Sequence, residues 1–162
     1  MNESDTGIIK MLVIDVDGTL TDGKIYMGRK GEIFKVFDIK DGYAIHELLP
    51  KYNIMPVIIT GRNSSIVENR AKEMGITHIY QGVKDKIRLL RELVQKTNIS
   101  MFNVAYIGDD INDLECMKNC GFKGCPADAA PEIKAIADFI SNKNGGEGAV
   151  REFVEKIIKN KF

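Results

Sequence analysis

Histidine and cysteine are scarce in this sequence, which has two histidines and three cysteines among 162 residues. An odd number of cysteines argues against the disulfide framework of a small secreted protein. No C-x-x-C pair occurs and the histidines lie far from the cysteines, so a zinc site is poorly supported and small buried thiols are expected instead. These counts predict a protein of a reducing compartment, the cytoplasm.

A net charge is also lacking, because 23 Lys and Arg residues balance 23 Asp and Glu residues. Nucleic acids and anionic membranes attract proteins with an excess of positive charge, so neither is expected as a partner. No apolar run approaches the roughly 20 residues of a membrane-spanning helix. Residues 1–10 are polar and contain no hydrophobic segment typical of a signal peptide. We therefore expect one globular domain over residues 1–162.

Short aliphatic runs alternate with helical patterns along most of the chain. The runs typical of strands cover residues 11–14, 54–59, 76–80, 104–107, 122–125 and 139–140. Helices are predicted at 41–50, 64–74, 83–96, 112–119, near 131 and around 150–158. This alternation predicts an α/β fold with one doubly wound, Rossmann-like parallel sheet flanked by helices. Two further β-prone runs, 24–27 and 32–37, predict a β-hairpin that projects from the end of the first strand.

Polar residues follow each of the first four predicted strands of this sheet. They are Asp15 and Asp17, then Thr60-Gly61-Arg62, then Lys84-Asp85-Lys86, and last Asp109-Asp110 with Asp113 one helical turn later. Sites in open α/β sheets form beyond the carboxyl ends of the strands. Clustered carboxylates require a cation, and ligands that are all oxygen favour Mg²⁺. A hydroxyl, a lysine and a backbone amide suit a phosphoryl group, so the pattern favours phosphoryl transfer through an aspartate.

The same residues form an ordered set of motifs. They are the D-x-D-G-T element at residues 15–19, then Thr60, then Lys86, and last Gly108-Asp109-Asp110 with Asp113. In this order the motifs resemble those of the haloacid dehalogenase superfamily of phosphatases. Further segments make the resemblance specific to one group within this superfamily. They are Thr21-Asp22-Gly23, the hairpin, Asp41-Gly42-Tyr43, Gln81-Gly82 and residues 145–152. With them the chain is similar, from Met11 onward, to the capless phosphatases of 3-deoxy-D-manno-octulosonate 8-phosphate and of sialic-acid-type 9-phosphates.

The resemblance implies roles for the acidic residues. Asp15 would attack phosphorus and form an aspartyl-phosphate. Asp17 would protonate the departing sugar oxygen and then activate the hydrolytic water, and its backbone carbonyl would join Asp15 and Asp109 in binding Mg²⁺. Of Asp110 and Asp113, one would assist the metal through water and the other would orient Lys86. Helix capping is the alternative role for Asp110.

The resemblance also implies how phosphate and sugar are bound. Thr60 and the Gly61 amide would hold phosphoryl oxygens, with helix capping as the alternative for Thr60. Lys86, preferred to Lys84 on motif position, would neutralise charge on the nucleophile and the phosphoryl group. Arg62 would meet the carboxylate or the phosphate of the substrate, and its alternative is an ordinary surface arginine. Asp41 and Glu147 are further candidate substrate-binding residues.

The chain is too short for the separate cap domain that is common in this superfamily. The resemblance therefore implies a homotetramer, in which the hairpins associate and residues 145–151 help to close a site. A sugar-acid phosphate is the expected partner. The arginine at position 62 resembles the octulosonate 8-phosphate phosphatases. Glu147, however, lies in a loop in which that subgroup carries an arginine, and here the chain resembles the N-acylneuraminate/KDN 9-phosphate phosphatases. We expect 3-deoxy-D-manno-octulosonate 8-phosphate, with the nine-carbon phosphates as the alternative.

Two other classes of protein remain as alternatives. A receiver-type phosphoacceptor domain also uses acids, a Thr and a Lys around Mg²⁺. Its adjacent acids follow the first strand, however, whereas here Asp-x-Asp follows the first strand and the adjacent pair Asp109-Asp110 follows a later one. A catalytically inactive regulatory domain is disfavoured because every motif residue is present.

Overall fold

The computed structural model describes residues 8–160. The expectation that residues 1–10 contain no signal peptide falls mostly outside this part of the chain. That one domain extends over residues 1–162 also stays a prediction. Among the described residues, no helix has both the length and the apolar character required to cross a membrane.

A six-stranded parallel sheet forms the centre of the fold, as predicted. Its strands are β1 (Met11–Ile14), β4 (Met55–Ile59), β5 (His78–Tyr80), β6 (Val104–Ile107), β7 (Phe122–Cys125) and β8 (Phe139–Ile140). Their order across the sheet is β5-β4-β1-β6-β7-β8. The central strand β1 pairs in parallel with β4 and β6, and all four of its residues are buried. The segments that follow these three strands therefore meet at one edge of the sheet.

Helices cover both faces of the sheet. They are α1 (Ile39–Tyr43), α2 (Ser65–Glu73), α3 (Lys86–Thr97), α4 (Leu114–Asn119), α5 (Pro131–Lys134) and α6 (Ala149–Lys159). Leu12 and Ile14 of β1 share one buried core with α2 and α6, whereas Met11 and Val13 share the other with α3 and α4. This division follows from the alternation of side chains along a strand.

The second core also contains the three cysteines. Cys116, Cys120 and Cys125 are free and buried. Burial raises the pKa of each thiol, that of Cys125 to about 11 and that of Cys116 to about 12. Because the thiolate is the reactive form, these cysteines behave as small apolar side chains.

The predicted hairpin is present and stands apart from the main sheet. Strands β2 (Tyr26–Gly28) and β3 (Gly31–Phe34) pair antiparallel, and the rings of Tyr26 and Phe34 stack with centroids 4.4 Å apart. Met27, Ile33 and Val36 are more than half exposed, at 62%, 60% and 51%. Such an apolar surface on a small projecting element is unusual for a lone soluble chain.

Two helix starts differ from the predicted ones because aspartates cap them. The helix predicted to open at Asp41 begins at Ile39, since the Asp38 side chain accepts a hydrogen bond from the Lys40 amide at 2.6 Å. It continues through a π-helical turn, Ala44–Leu48, and a 3₁₀ turn, Leu49–Tyr52, that accommodates Pro50 in its first turn. Likewise α3 begins at Lys86 rather than Val83, with Asp85 as its N-cap.

Candidate active site

A pocket of about 310 Å³ lies where the carboxyl ends of β1, β4 and β6 meet. Its lining consists of residues that follow these strands: Asp15, Asp17, Gly23, Thr60, Gly61, Arg62, Asp109, Asp110 and Asn112. Most of the predicted site residues are therefore brought together in one place. The parallel pairing of the three strands is the cause, because it aligns their ends.

Asp15 lies buried at the end of β1 and is held by a lysine. The Lys86 ammonium donates hydrogen bonds to an oxygen of Asp15 and to an oxygen of Asp113, each at 2.7 Å. Burial acts to lower the pKa of Lys86, but the two carboxylates outweigh it and raise that pKa above its usual value. Lys86 is therefore a permanent cation beside Asp15. The competing candidate, Lys84, is exposed.

Asp113 holds Lys86 in place and is fully buried. Its Oδ1 accepts the Lys86 bond and a second one from the Tyr106 hydroxyl at 2.7 Å, and its Oδ2 accepts the Asp109 amide at 3.1 Å. Tyr106 was not among the predicted site residues. A tyrosine in an otherwise aliphatic strand was the available signal, because a buried hydroxyl needs a polar partner.

Asp109 shares the pocket with Asp15. Its Oδ1 accepts a hydrogen bond from the Thr19 hydroxyl at 3.1 Å. Gly18 has a φ of +92°, and a Cβ at this position would lie 2.0 Å from the Asp109 carboxylate, so only glycine fits the turn. The turn after β1 therefore presses directly against the second acid.

The cluster of acids fits a divalent cation. Carboxylate oxygens of Asp15, Asp109 and Asp113 lie within 4.8 Å of one another. Burial, together with the Asp113 charge, raises the pKa of Asp109 to about 6 and that of Asp15 well above its usual value. Lys86 offsets only part of this effect at Asp15, so the three acids together lack sufficient positive charge. Because the oxygens of Asp113 are already engaged, Asp15 and Asp109 are the side chains that would hold Mg²⁺.

Asp110 lies at the rim of the pocket and caps a helical turn. Its side chain accepts the Ile111 amide at 2.8 Å and forms a capping box with Asp113. The geometry thus matches the capping alternative for Asp110, and ligation of the metal through water stays a prediction. Thr60 is buried and lines the pocket, whereas the N-cap position of α2 is Ser64 rather than Thr60.

The hairpin adds two charged residues that were not predicted for the site. The buried Lys35 ammonium contacts the Asp17 carboxylate and lies 2.8 Å from an oxygen of Glu32. Glu32 in turn accepts a hydrogen bond from the Ser64 hydroxyl at 2.6 Å and pairs with Arg62 at 3.5 Å. Charged residues in an apolar hairpin were the only signal, since the contacts depend on how the hairpin folds back.

Two candidate substrate-binding residues, Asp41 and Glu147, do not line the pocket of their own chain, and their role in binding substrate stays a prediction. Asp41 is buried and accepts the Arg151 amide at 2.8 Å, so it holds the first turn of α6. Glu147 is exposed in the loop before that helix. Two glycines of the same loop instead support the turn after β1. Gly146 donates its amide to the Thr19 carbonyl at 3.1 Å, and a Cβ at Gly145 would lie 1.9 Å from the Gly18 oxygen.

Comparison with known proteins agrees with this geometry. A family model of haloacid dehalogenase-like hydrolases matches residues 32–153. The chain belongs to this family. It is 43% identical over 150 residues to 3-deoxy-D-manno-octulosonate 8-phosphate phosphatase KdsC of Salmonella typhi. The aligned residues cover 93% of this chain and 79% of that relative.

Solved structures of such phosphatases share the fold of this haloacid dehalogenase-like chain. The Moraxella catarrhalis enzyme, solved with a magnesium ion, a phosphate ion and KDO, superposes with a TM-score of 0.91 at 41% identity, covering 99% of this chain and 92% of that chain. The cobalt-bound Haemophilus influenzae enzyme gives a TM-score of 0.91 at 33% identity, with 96% and 91% covered. The family resemblance is thereby confirmed.

Binding of Mg²⁺ should weaken in acid. The raised pKa of Asp109, about 6, means that protons compete with the cation for this carboxylate below that pH. We expect Mg²⁺ affinity, measured by isothermal titration calorimetry, to be about tenfold lower at pH 5 than at pH 7.5. Asp109→Asn should bind Mg²⁺ weakly at both values. Equal affinity of the unaltered protein at both would contradict the assignment.

Proposed function

We propose that this chain is a Mg²⁺-dependent phosphatase that hydrolyses the phosphate monoester of a sugar acid, 3-deoxy-D-manno-octulosonate 8-phosphate, through an aspartyl-phosphate. The observation that carries the proposal is the placement of Asp15, a buried carboxylate at a strand end that lines the pocket and is held by the Lys86 ammonium. The phosphatases of Salmonella typhi and Moraxella catarrhalis support the choice of reaction and substrate.

The side chains in the pocket divide the reaction between them. A carboxylate oxygen of Asp15 attacks phosphorus, an Asp15–phosphorus bond forms, and the bond between phosphorus and the sugar oxygen breaks. Asp17 gives its proton to that oxygen, then takes one from the water that cleaves the aspartyl-phosphate and releases phosphate. The exposed fraction of the side chain is 5% for Asp15 and 21% for Asp17. The greater exposure of Asp17 suits its role, because this residue must exchange protons with water.

The remaining groups balance the charge of the phosphoryl group. Lys86 neutralises Asp15, while the Thr60 hydroxyl and the Gly61 amide bind phosphoryl oxygens. The carboxylates of Asp15 and Asp109 and the backbone carbonyl of Asp17 would hold Mg²⁺, which would supply positive charge to stabilise the phosphoryl group.

Arg62 is the residue that favours an eight-carbon sugar acid. Its side chain lines the pocket and is 44% exposed, so its guanidinium is available to a carboxylate. Glu147, the feature in favour of the nine-carbon phosphates, lies outside the pocket of its own chain. Its negative charge therefore does not oppose a carboxylate bound at Arg62 from within the same subunit.

Replacement of the nucleophile tests the reaction. Asp15→Asn should lower kcat by at least about 10³-fold and leave binding of the phosphate ester largely intact, because only the attacking oxygen is lost. Phosphate release and calorimetric binding measure the two effects. Asp138→Asn is the control, since Asp138 pairs with Lys123 and does not line the pocket. Retained turnover in Asp15→Asn would overturn the mechanism.

A comparison of two substrates tests the specificity. We expect kcat/KM to be at least about tenfold higher for 3-deoxy-D-manno-octulosonate 8-phosphate than for N-acylneuraminate or KDN 9-phosphate, because specificity is the ratio of these values. Phosphate release under identical Mg²⁺ concentrations gives both numbers. A higher kcat/KM for a nine-carbon substrate would contradict the proposed substrate and identify the chain as a nine-carbon sugar-acid phosphatase.

We also propose that the chain assembles as a homotetramer through its hairpins. The exposed Met27, Ile33 and Val36 supply an apolar surface, and residues 8–160 form no cap domain that would exclude water from the pocket. The free, buried cysteines support the cytoplasm as the compartment of this assembly.

A charge on the hairpin should break the assembly. Ile33→Glu places a carboxylate on the apolar surface, so light scattering should show smaller species than the tetramer of the unaltered protein. Ile140→Glu is the matched control, because Ile140 is also exposed but lies on β8 at the far edge of the sheet. An unaltered protein that is monomeric and fully active would contradict the proposal.

A further inference from the structure

The hairpin carries a lysine that is nearly inaccessible to water. Only 1% of the Lys35 side chain is exposed, although its neighbours Phe34 and Val36 are exposed apolar residues. Burial of an ammonium group is costly unless opposite charges surround it. Lys35 meets this requirement with the carboxylates of Asp17 and Glu32. The hairpin is thus attached to the pocket by these charged contacts.

Glu32 extends this contact to the opposite wall of the pocket. Its Oε1 lies 2.8 Å from the Lys35 ammonium and 3.5 Å from the Arg62 guanidinium, and its Oε2 accepts the Ser64 hydroxyl at 2.6 Å. Only 12% of the Glu32 side chain is exposed. Its contacts with Lys35 and Ser64 therefore lie in a sheltered environment, where hydrogen-bonded charges are more rigid than on an open surface, and Arg62 forms the more exposed end of the set.

Together these contacts cross the pocket from one wall to the other. Asp17 follows β1, whereas Arg62 and Ser64 follow β4, and Glu32 with Lys35 connects the two segments. The proposed proton donor and the proposed carboxylate-binding arginine are consequently held at opposite ends of one row of charges. Each of these contacts is between side chains, so the connection between the two segments depends on the side chains of Lys35 and Glu32.

We propose that Lys35 and Glu32 are positioning residues for the reaction: Lys35 holds Oδ1 of Asp17, so that the other oxygen takes up the proton and faces the leaving oxygen, and Glu32 holds Arg62 toward the carboxylate of the sugar acid. The proposal rests on the phosphatase function proposed above. Each residue acts through another side chain, because proton transfer and carboxylate binding both require hydrogen-bond distance and correct orientation.

The leaving group distinguishes positioning by Lys35 from a structural role. A sugar alkoxide must be protonated as it departs, so its release depends on the orientation of Asp17. The p-nitrophenolate ion is a stable anion and leaves without a proton. Misorientation of Asp17 should therefore slow the sugar phosphate far more than p-nitrophenyl phosphate, whereas a general loss of folding slows both equally.

Lys35→Met tests this with Lys30→Met as the control, since Lys30 is exposed in the hairpin turn. At saturating Mg²⁺ we expect kcat for the sugar phosphate to fall about 10²-fold in Lys35→Met, and the ratio of the two kcat values to change at least about tenfold. Lys35→Arg, which keeps the charge, should restore part of the ratio. The ratio is independent of the folded fraction of the preparation. An unchanged ratio in Lys35→Met would overturn the role of Lys35.

Glu32→Gln tests the second half of the proposal. We expect KM for the sugar-acid phosphate to rise about tenfold relative to KM for p-nitrophenyl phosphate, which has no carboxylate for Arg62 to bind. Glu68→Gln is the control, because Glu68 pairs with Lys72 on the exposed surface of α2. A parallel change of both KM values would overturn the role of Glu32. If the unaltered protein hydrolyses neither ester, the phosphatase function itself fails, whereas unaltered selectivity in an active protein rejects only the positioning roles.

Discussion

The buried ammonium of Lys86 is the interaction on which the rest of the site depends. Asp15 and Asp113 lie almost entirely out of water, and two carboxylates in such a place repel one another unless a cation lies between them. Lys86 supplies that cation from the first residue of α3, and Asp85 caps the same helix. Tyr106 and the Asp109 amide complete the hydrogen bonds of Asp113. Lys86 therefore orients the Asp15 carboxyl group that lines the pocket and offsets part of the cost of its burial.

A second constraint comes from close contacts of two glycines at the turn after β1. Gly18 cannot carry a side chain because it lies against the Asp109 carboxylate, and Gly145 cannot carry one because it lies against the backbone of Gly18 and Thr21. The glycine-rich loop before α6 therefore acts as a support for the nucleophile segment. Asp41 accepts the Arg151 amide and so holds the first turn of α6 and the end of that loop. These residues shape the pocket without lining it.

Much of this arrangement could be predicted from the sequence, because it depends on strand order. Once the runs at β1, β4 and β6 are recognised as parallel strands, Asp15, Thr60 and Asp109 must meet at one edge. Contacts that depend on the path of a loop could not be predicted in this way. Lys35 reaches Asp17 only because the hairpin folds back toward the pocket. Asp41 binds the amide of Arg151, which lies 110 positions later in the chain. Local capping by Asp38 and Asp85 also shifted two helix starts that periodicity alone had placed a few residues away.

The most direct test of the account is a crystal structure of the protein with Mg²⁺ and trifluoroberyllate, a mimic of the phosphoryl group on an aspartate. We expect the beryllium to be bonded to a carboxylate oxygen of Asp15, the Mg²⁺ to be ligated by Asp15 and Asp109, and Asp113 to keep its bonds with Lys86 and Tyr106. Trifluoroberyllate on a different residue, or Asp113 among the ligands of the metal, would contradict the account.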